Sequence, residues 1–330
     1  MSMATLLLVA VLLSAVSTVS LASLPRETTS ASLPGSSSLE SYVSKCVDRI
    51  TKGDDGGGRS CVLLSWAQTA DGKLAFAEDF NEAEDDPARH DGSSARRRMR
   101  ANVMLSGDKS LAFTHSFLRS IADYIVVGSG TILTDDPRLV EHKGFEVEGE
   151  TGEMSERKVL KPVILVGSET WGKELEMQYN DLRLVRKWQG AVVIVGGEEE
   201  GLHLQREETE GGGGKGWRWL VKGGGRDLKN VRKTLQKIAQ AEGNSGSGRL
   251  LVVVEGGCKV LQNFLDEGEW DIICVTCCST KMEASFGALG VGLSRCWDRG
   301  WGEGRWEKVF QVGEDKVRVI VNMKNGNEKE

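Results

Sequence analysis

The sequence predicts an α/β domain in which a mostly parallel central sheet carries helices on both faces. Two observations lead there: short apolar runs that end in glycine, and segments of helical periodicity lying between them. Ligands of such folds bind beyond the carboxyl ends of the strands, so polar residues at those ends are the first candidates for a site.

The elements follow in chain order. Residues 1–40 form an apolar leader and a Ser/Pro-rich segment, set apart from the domain expected over 41–330. Leu6 to Leu13 has the length of a secretory h-region but no basic n-region, so a cleaved secretory or organelle-targeting leader is expected at residues 1–25. Ser14, Ser17, Thr18 and Ser20 argue against a membrane span there. Residues 61–68 read as the first strand and end at the Ala70-Asp71-Gly72 turn. A helix is expected from Leu105 to Ile121, with Leu111, Phe117 and Leu118 as its buried stripe and His115 one turn before Arg119. Strands follow at 124–128, 162–166 and 191–195, each bounded by glycine. A helix over 228–241 precedes the strand 251–255, and Gly256-Gly257 opens another helix carrying Val260, Leu261, Phe264 and Leu265. Strands at 271–277 and 317–322 complete the set. Low-complexity insertions are expected near 78–102, 141–157 and 199–226, the last as a loop rich in Glu and Gly.

Composition excludes several classes of function. The chain of 330 residues is 39% hydrophobic with a formal net charge of -6, and acidic and basic residues are mixed along it. That balance leaves no footprint for nucleic acid, and the cluster Arg96, Arg97, Arg98 and Arg100 reads as a solvated insertion. Seven cysteines, an odd number, occur in a chain far too long to need a disulfide scaffold. Cys274, Cys277 and Cys278 include a C-x-x-C spacing, but no second ligand pair is present, and packed thiols are expected.

Three constellations carry chemistry. Gly128-Ser129-Gly130-Thr131 follows a buried strand, where a glycine turn exposes backbone N–H groups to an anion; the run continues to Asp135-Asp136-Pro137. Val254-Glu255-Gly256-Gly257 places a carboxylate at the end of an apolar strand, either bonded to the turn or reserved for a ligand, ahead of a helix N-terminus. Trp66-Ala67-Gln68-Thr69-Ala70-Asp71-Gly72-Lys73 closes the first strand. Arg119, in the last turn of its helix, suits either an anionic ligand or a surface salt bridge.

These segments resemble the riboflavin-pathway pyrimidine reductases. The resemblance rests on W-A-Q-T-A-D-G-K-L-A, on L-S-G-x-x-S-x-x-x-T-H-x-x-L-R, on D-Y-I-V-V-G-S-G-T-I-L-T-D-D-P and on V-V-V-E-G-G-x-x-V-L-Q-N-F-L. Order and spacing agree from about residue 61 to 280, and the T-H-x-x-L-R form is most similar to the stand-alone fungal-type enzymes. The resemblance implies a three-layer α/β/α dihydrofolate-reductase-like fold binding NADPH. It implies a phosphorylated pyrimidine substrate, 2,5-diamino-6-ribosylamino-4(3H)-pyrimidinone 5′-phosphate, with its ribosyl group reduced to ribityl. It further implies a cytoplasmic homodimer with no membrane span in the mature domain and no metal. Gln68, Gly130, Thr131, Asp135 and Ser168, with Gly256, Gly257, Cys258, Lys259, Val260 and Leu261, fall on the cofactor side. Arg119, Leu139 and Glu255 fall on the substrate side, with Glu255 in the catalytic position.

The chain departs from the family in two places. His142 stands where an Arg is usual, and Cys277-Cys278-Ser279-Thr280 replaces a Pro and a Gly-rich loop. The H-x-E and P-C-x-x-C elements of the zinc deaminase carried by bifunctional relatives are absent from the sequence, so no deaminase activity is expected. The rival readings are a reductase of another pterin or pyrimidine on the same fold, and a non-catalytic nucleotide-binding relative.

Overall fold

A computed structural model describes residues 38–52, 59–70, 72–76, 105–139, 160–167, most of 173–184, 190–195, 203–211, 214–222, 229–242, 249–279, 288–290 and 305–322. The expected insertions near 78–102 and 141–157, and with them His142, lie outside the described residues. The compact unit runs from Ser38 to Glu330. Among the described residues no helix is long and apolar enough to cross a membrane.

The first element is helix α1 (Leu39–Lys52), which the sequence reading did not anticipate. The Ser38 hydroxyl accepts the Ser41 N–H at 3.2 Å, and Tyr42, Val43, Cys46 and Ile50 make a buried stripe at helical spacing. Strand β1 (Ser60–Gln68) and the short β2 (Lys73–Phe76) follow. Helix α2 occupies residues 108–121, with a π-helical turn over Phe113–Leu118. The wider turn takes in extra backbone, and Ser116, Phe117, Leu118 and Arg119 are buried in succession. Leu111, expected in the buried stripe, is only half-buried; Phe113 fills the core instead, because the π turn rephases the helix.

Beyond it come β3 (Tyr124–Gly128), the short helix α3 (Ser129–Asp135), β4 (Lys161–Val166) and β5 (Gly190–Val195). Strands β6 (His203–Gly211) and β7 (Gly214–Lys222) form an antiparallel hairpin, correcting the loop expected over 199–226. Composition concealed it: Glu and Gly dominate, yet the register pairs Glu207 with Arg218 and Glu210 with Lys215, residues of opposite charge. Trp217 to Val221 supplies strand-forming residues, and β7 runs parallel beside β5.

Helix α4 (Lys229–Ala241), β8 (Leu250–Val254), helix α5 (Cys258–Glu267), β9 (Ile272–Cys277), β10 (Ala288–Gly290), β11 (Arg305–Val312) and β12 (Asp315–Asn322) complete the described elements. Strand β11 was also unforeseen. It pairs with β12 through the two-residue Gly313-Glu314 turn, where Gly313 takes a φ of 62°.

The main sheet has ten strands in the order β11-β12-β9-β1-β8-β3-β4-β5-β7-β6. From β9 through β7 every neighbouring pair is parallel, and the antiparallel strands sit at the two edges. Strand alternation assigns the faces. Val62, Leu64, Trp66, Tyr124, Val126, Val252 and Val254 turn toward α4 and α5, packing on Leu235, Ile238, Leu261 and Phe264. The other face carries α1 and α2, which gives the three-layer α/β/α arrangement the sequence predicts.

Asp271 anchors the amino-terminal edge of the sheet. Its buried carboxylate accepts the Val62 N–H at 2.8 Å, Arg232 Nη2 at 2.9 Å and Arg59 Nη2 at 3.4 Å. Cys274 and Cys278 are buried thiols, as expected, and strand alternation sends Cys274 and Cys277 to opposite faces of β9.

Candidate functional site

The polar residues singled out from the sequence converge at the carboxyl edge of β9, β1, β8 and β3. Strand β8 ends at Val254, and the ladder continues one step, the Glu255 N–H bonding Val126 O at 3.0 Å. Glu255 therefore keeps the parity of Leu251 and Val253 and turns toward α2. There it meets Arg119. Arg119 Nε donates to Glu255 Oε1 at 3.1 Å and Nη2 donates to Oε2 at 2.6 Å, a two-pronged ion pair with both side chains nearly buried. The sequence reading gave the two residues separate substrate contacts. The structure brings them together, and nothing local in the sequence signals a contact across 136 positions.

The opposite side of the same edge is shaped by missing side chains. A Cβ on Gly256 would stand 2.6 Å from Val260 Cβ, and one on Gly128 would stand 2.9 Å from Val260 Cγ2. Val260 thus seats the first turn of α5 directly on the backbone of two adjacent strand ends, an approach only glycine permits. A Cβ on Gly257 would reach Thr131 Oγ1 at 3.1 Å, so α3 and the α5 turn face each other closely. Gly130, beside Thr131, opens onto space instead.

Each expected site residue has a definite place. Gln68 ends β1 and is half-buried; its Oε1 accepts Trp66 Nε1–H at 2.9 Å and its Nε2 faces Cys277 Sγ at 3.8 Å. Gly130, Thr131 and Asp135 lie on α3, with Asp135 exposed at its end. Gly256 and Gly257 link β8 to α5, and Gly257 caps α5 without a side-chain hydrogen bond. Cys258 is half-buried and Lys259 exposed in the first helical turn. The N–H groups of Val260 and Leu261 both bond Gly257 O, at 3.0 and 3.2 Å, and Leu261 is fully buried. These two residues accordingly build the turn by packing and backbone hydrogen bonding. Leu139 is buried at a left-handed φ of 45°, beyond the turn that Asp136 makes at a φ of 39°. Asp136, absent from the expected set, holds that turn by accepting the Arg183 N–H at 2.8 Å. Ser168 lies outside the described residues.

Burial pushes the Cys277 thiol upward, with the Arg318 guanidinium pulling the other way. The Cys278 thiol rises to about 12, mainly through burial and secondarily through the Asp315 carboxylate. Both shifts favour the neutral thiol over the nucleophilic thiolate. Among the described residues no group of His, Cys, Asp and Glu is placed to hold a metal ion.

A mostly parallel sheet covered on both faces, with glycines and a nearly buried ion pair gathered at its carboxyl edge, is the α/β class of domain, in which ligands are taken at that edge. The chain belongs to the RibD C-terminal domain family, whose model matches residues 60–280. No curated protein matches the chain. Among solved structures, RibD from Acinetobacter baumannii in its form 2 is similar at 16% identity and a TM-score of 0.49, over 80% of this chain and 58% of that one. The riboflavin biosynthesis reductase of Saccharomyces cerevisiae is similar at 18% identity and a TM-score of 0.42, over 80% of this chain and 90% of that one. Dihydrofolate reductase from Enterococcus faecalis is similar at 10% identity and a TM-score of 0.36, over 79% of this chain and 95% of that one. The chain spans less than two thirds of the bacterial RibD proteins that it matches.

Proposed function

We propose that residues 38–330 form a single NADPH-dependent reductase domain acting on the ribosylamino-pyrimidinone phosphate of riboflavin synthesis. The observation that carries this reading is the Arg119–Glu255 pair, set at the carboxyl edge of β8 immediately before the Gly256-Gly257 turn, in a chain of this family.

The residues present fit a dinucleotide. The α5 N-terminus has no side-chain cap, so its positive end is available to a phosphate, and Lys259 is exposed beside it. A Cβ on Gly130 would meet nothing within 4 Å, so the backbone beside Thr131 leaves room for a ligand. Gly257 to Lys259, Thr131 and Asp135 are the residues that would hold NADPH, and NADPH supplies the hydride.

The rest of the work is positioning. Arg119 clamps both oxygens of Glu255 and so sets the plane of its carboxylate. A carboxylate held in this way accepts hydrogen bonds from sugar hydroxyls, which orients the carbon to be reduced.

Oxidation of NADPH by the full chain, followed by absorbance with freshly prepared substrate, tests the reading. Turnover that depends on both components is the expected result. Tight NADPH binding without turnover would favour a reductase of another pterin or pyrimidine, or a non-catalytic relative. Light scattering of the same sample reads whether the chain forms the homodimer proposed from its family.

A further inference from the structure

Trp66 and Gln68 sit two residues apart on β1, on the face that packs against α5, and Trp66 is 6% exposed within the core. The indole Nε1–H is a donor with no acceptor capacity, so the atom facing it at 2.9 Å has to be the Gln68 amide oxygen. That contact fixes the orientation of the whole amide. The Gln68 NH2 is turned the other way, with one proton toward Cys277 Sγ at 3.8 Å, a weak acceptor. Burial keeps Cys277 in its thiol form, so it does not become a strong competing acceptor. The main chain is fixed as well, because Gln68 O accepts the Cys278 N–H at 2.9 Å. Among the described residues the second proton of the Gln68 amide has no acceptor, although the side chain is half-buried at the ligand edge of the sheet.

We propose that Trp66 is a positioning residue that locks the Gln68 amide with its NH2 outward, so that Gln68 donates a hydrogen bond to an acceptor oxygen of the bound dinucleotide. This rests on the NADPH reading above. Its distinct content is polarity: the site presents a donor here, and the donor is enforced by a core tryptophan that touches no ligand. An unlocked glutamine would rotate its amide between two orientations and lose side-chain freedom on binding.

The test uses the full chain and measures NADPH affinity by calorimetry alongside the melting temperature of the ligand-free protein. Trp66→Phe removes the N–H and keeps most of the ring packing; Gln68→Leu removes the amide. Each is expected to weaken NADPH binding about threefold to tenfold, the range for one oriented hydrogen bond. Trp66→Phe should raise KM for NADPH and spare kcat. The double variant should bind no more weakly than Gln68→Leu alone, because Trp66 acts only through Gln68. Gln68→Glu, which retains the acceptor for Trp66 but has no donor, should also bind weakly. Unchanged affinity in Trp66→Phe, or losses that simply add in the double variant, would overturn the proposal and leave the NADPH reading standing. Failure of the unaltered chain to bind NADPH would remove both.

Discussion

Val260 rests on the bare backbone of Gly256, so closely that a Cβ on that glycine would stand 2.6 Å from Val260 Cβ. The helix that follows β8 is thereby pulled onto the sheet edge, and its first turn is aimed where the ligand is proposed to lie.

Gly256→Ala should therefore destabilise the domain by about 1–3 kcal/mol, the usual range for overpacking a filled site. NADPH affinity should fall with it, since the α5 turn has to move. The double variant Gly256→Ala with Val260→Ala should recover part of the affinity. Urea denaturation and calorimetry on the three proteins decide the matter, and an unperturbed single variant would refute the packing argument.

Arg119 and Glu255 should behave as a unit. Arg119→Ala leaves a carboxylate that is 12% exposed without its partner, which should cost about 3–5 kcal/mol of stability. Glu255→Gln keeps an acceptor oxygen for the guanidinium and should cost less. Both variants should lose turnover while retaining NADPH affinity in the folded protein. If cofactor binding declines in step with turnover, the pair does not belong to the substrate.

At the opposite edge, Asp271→Ala should lower stability by about 3–5 kcal/mol, because it strands Arg232 and the Val62 N–H around a side chain that is 1% exposed. NADPH affinity of the folded fraction should be unchanged. A change in affinity at constant stability would show that the network reaches the ligand edge.

The thiols yield a prediction in pH. Burial pushes Cys46 up to about 11 and Cys278 up to about 12, from an ordinary 9.0. A raised folded-state value favours the protonated form, so the stabilisation is complete below pH 9.0 and is lost as the pH climbs toward 11 and 12. Alkaline unfolding should set in across that window. Under native conditions near neutral pH these two thiols should resist Ellman's reagent, whereas all seven cysteines should react in guanidinium. Fast native labelling of Cys46 or Cys278 would contradict their burial.

Much of this architecture was legible because a buried parallel strand is an unbroken apolar run. Leu250–Val254 and Tyr124–Gly128 could be read almost to the residue. Strand β11 could not, since Arg305–Val312 is an edge strand whose residues alternate between exposed and half-buried positions. The β6–β7 hairpin was masked by its Glu- and Gly-rich composition, although its register sets residues of opposite charge across from each other. At the candidate site, motif order singled out Glu255, Arg119 and the glycines that the fold brings to one edge. It was blind to the pairing of Arg119 with Glu255 and to the contact of Trp66 with Gln68. The first joins residues far apart in the chain, and the second depends on a side-chain rotamer that spacing does not encode.

Strand β1 has no lateral partner from its own half of the chain. Its neighbours are β8, where Ser60 pairs with Leu250, and β9, where Gln68 pairs with Cys277. During synthesis the first strand must therefore wait, unpaired, for roughly two hundred residues to be made, and such distant closure slows folding. A nascent chain halted before β8 has neither Glu255 nor a sheet on which Gln68 could be placed. The proposed ligand edge is thus among the last parts of the molecule to come into being, and termination before β8 leaves β1 without either of its neighbours.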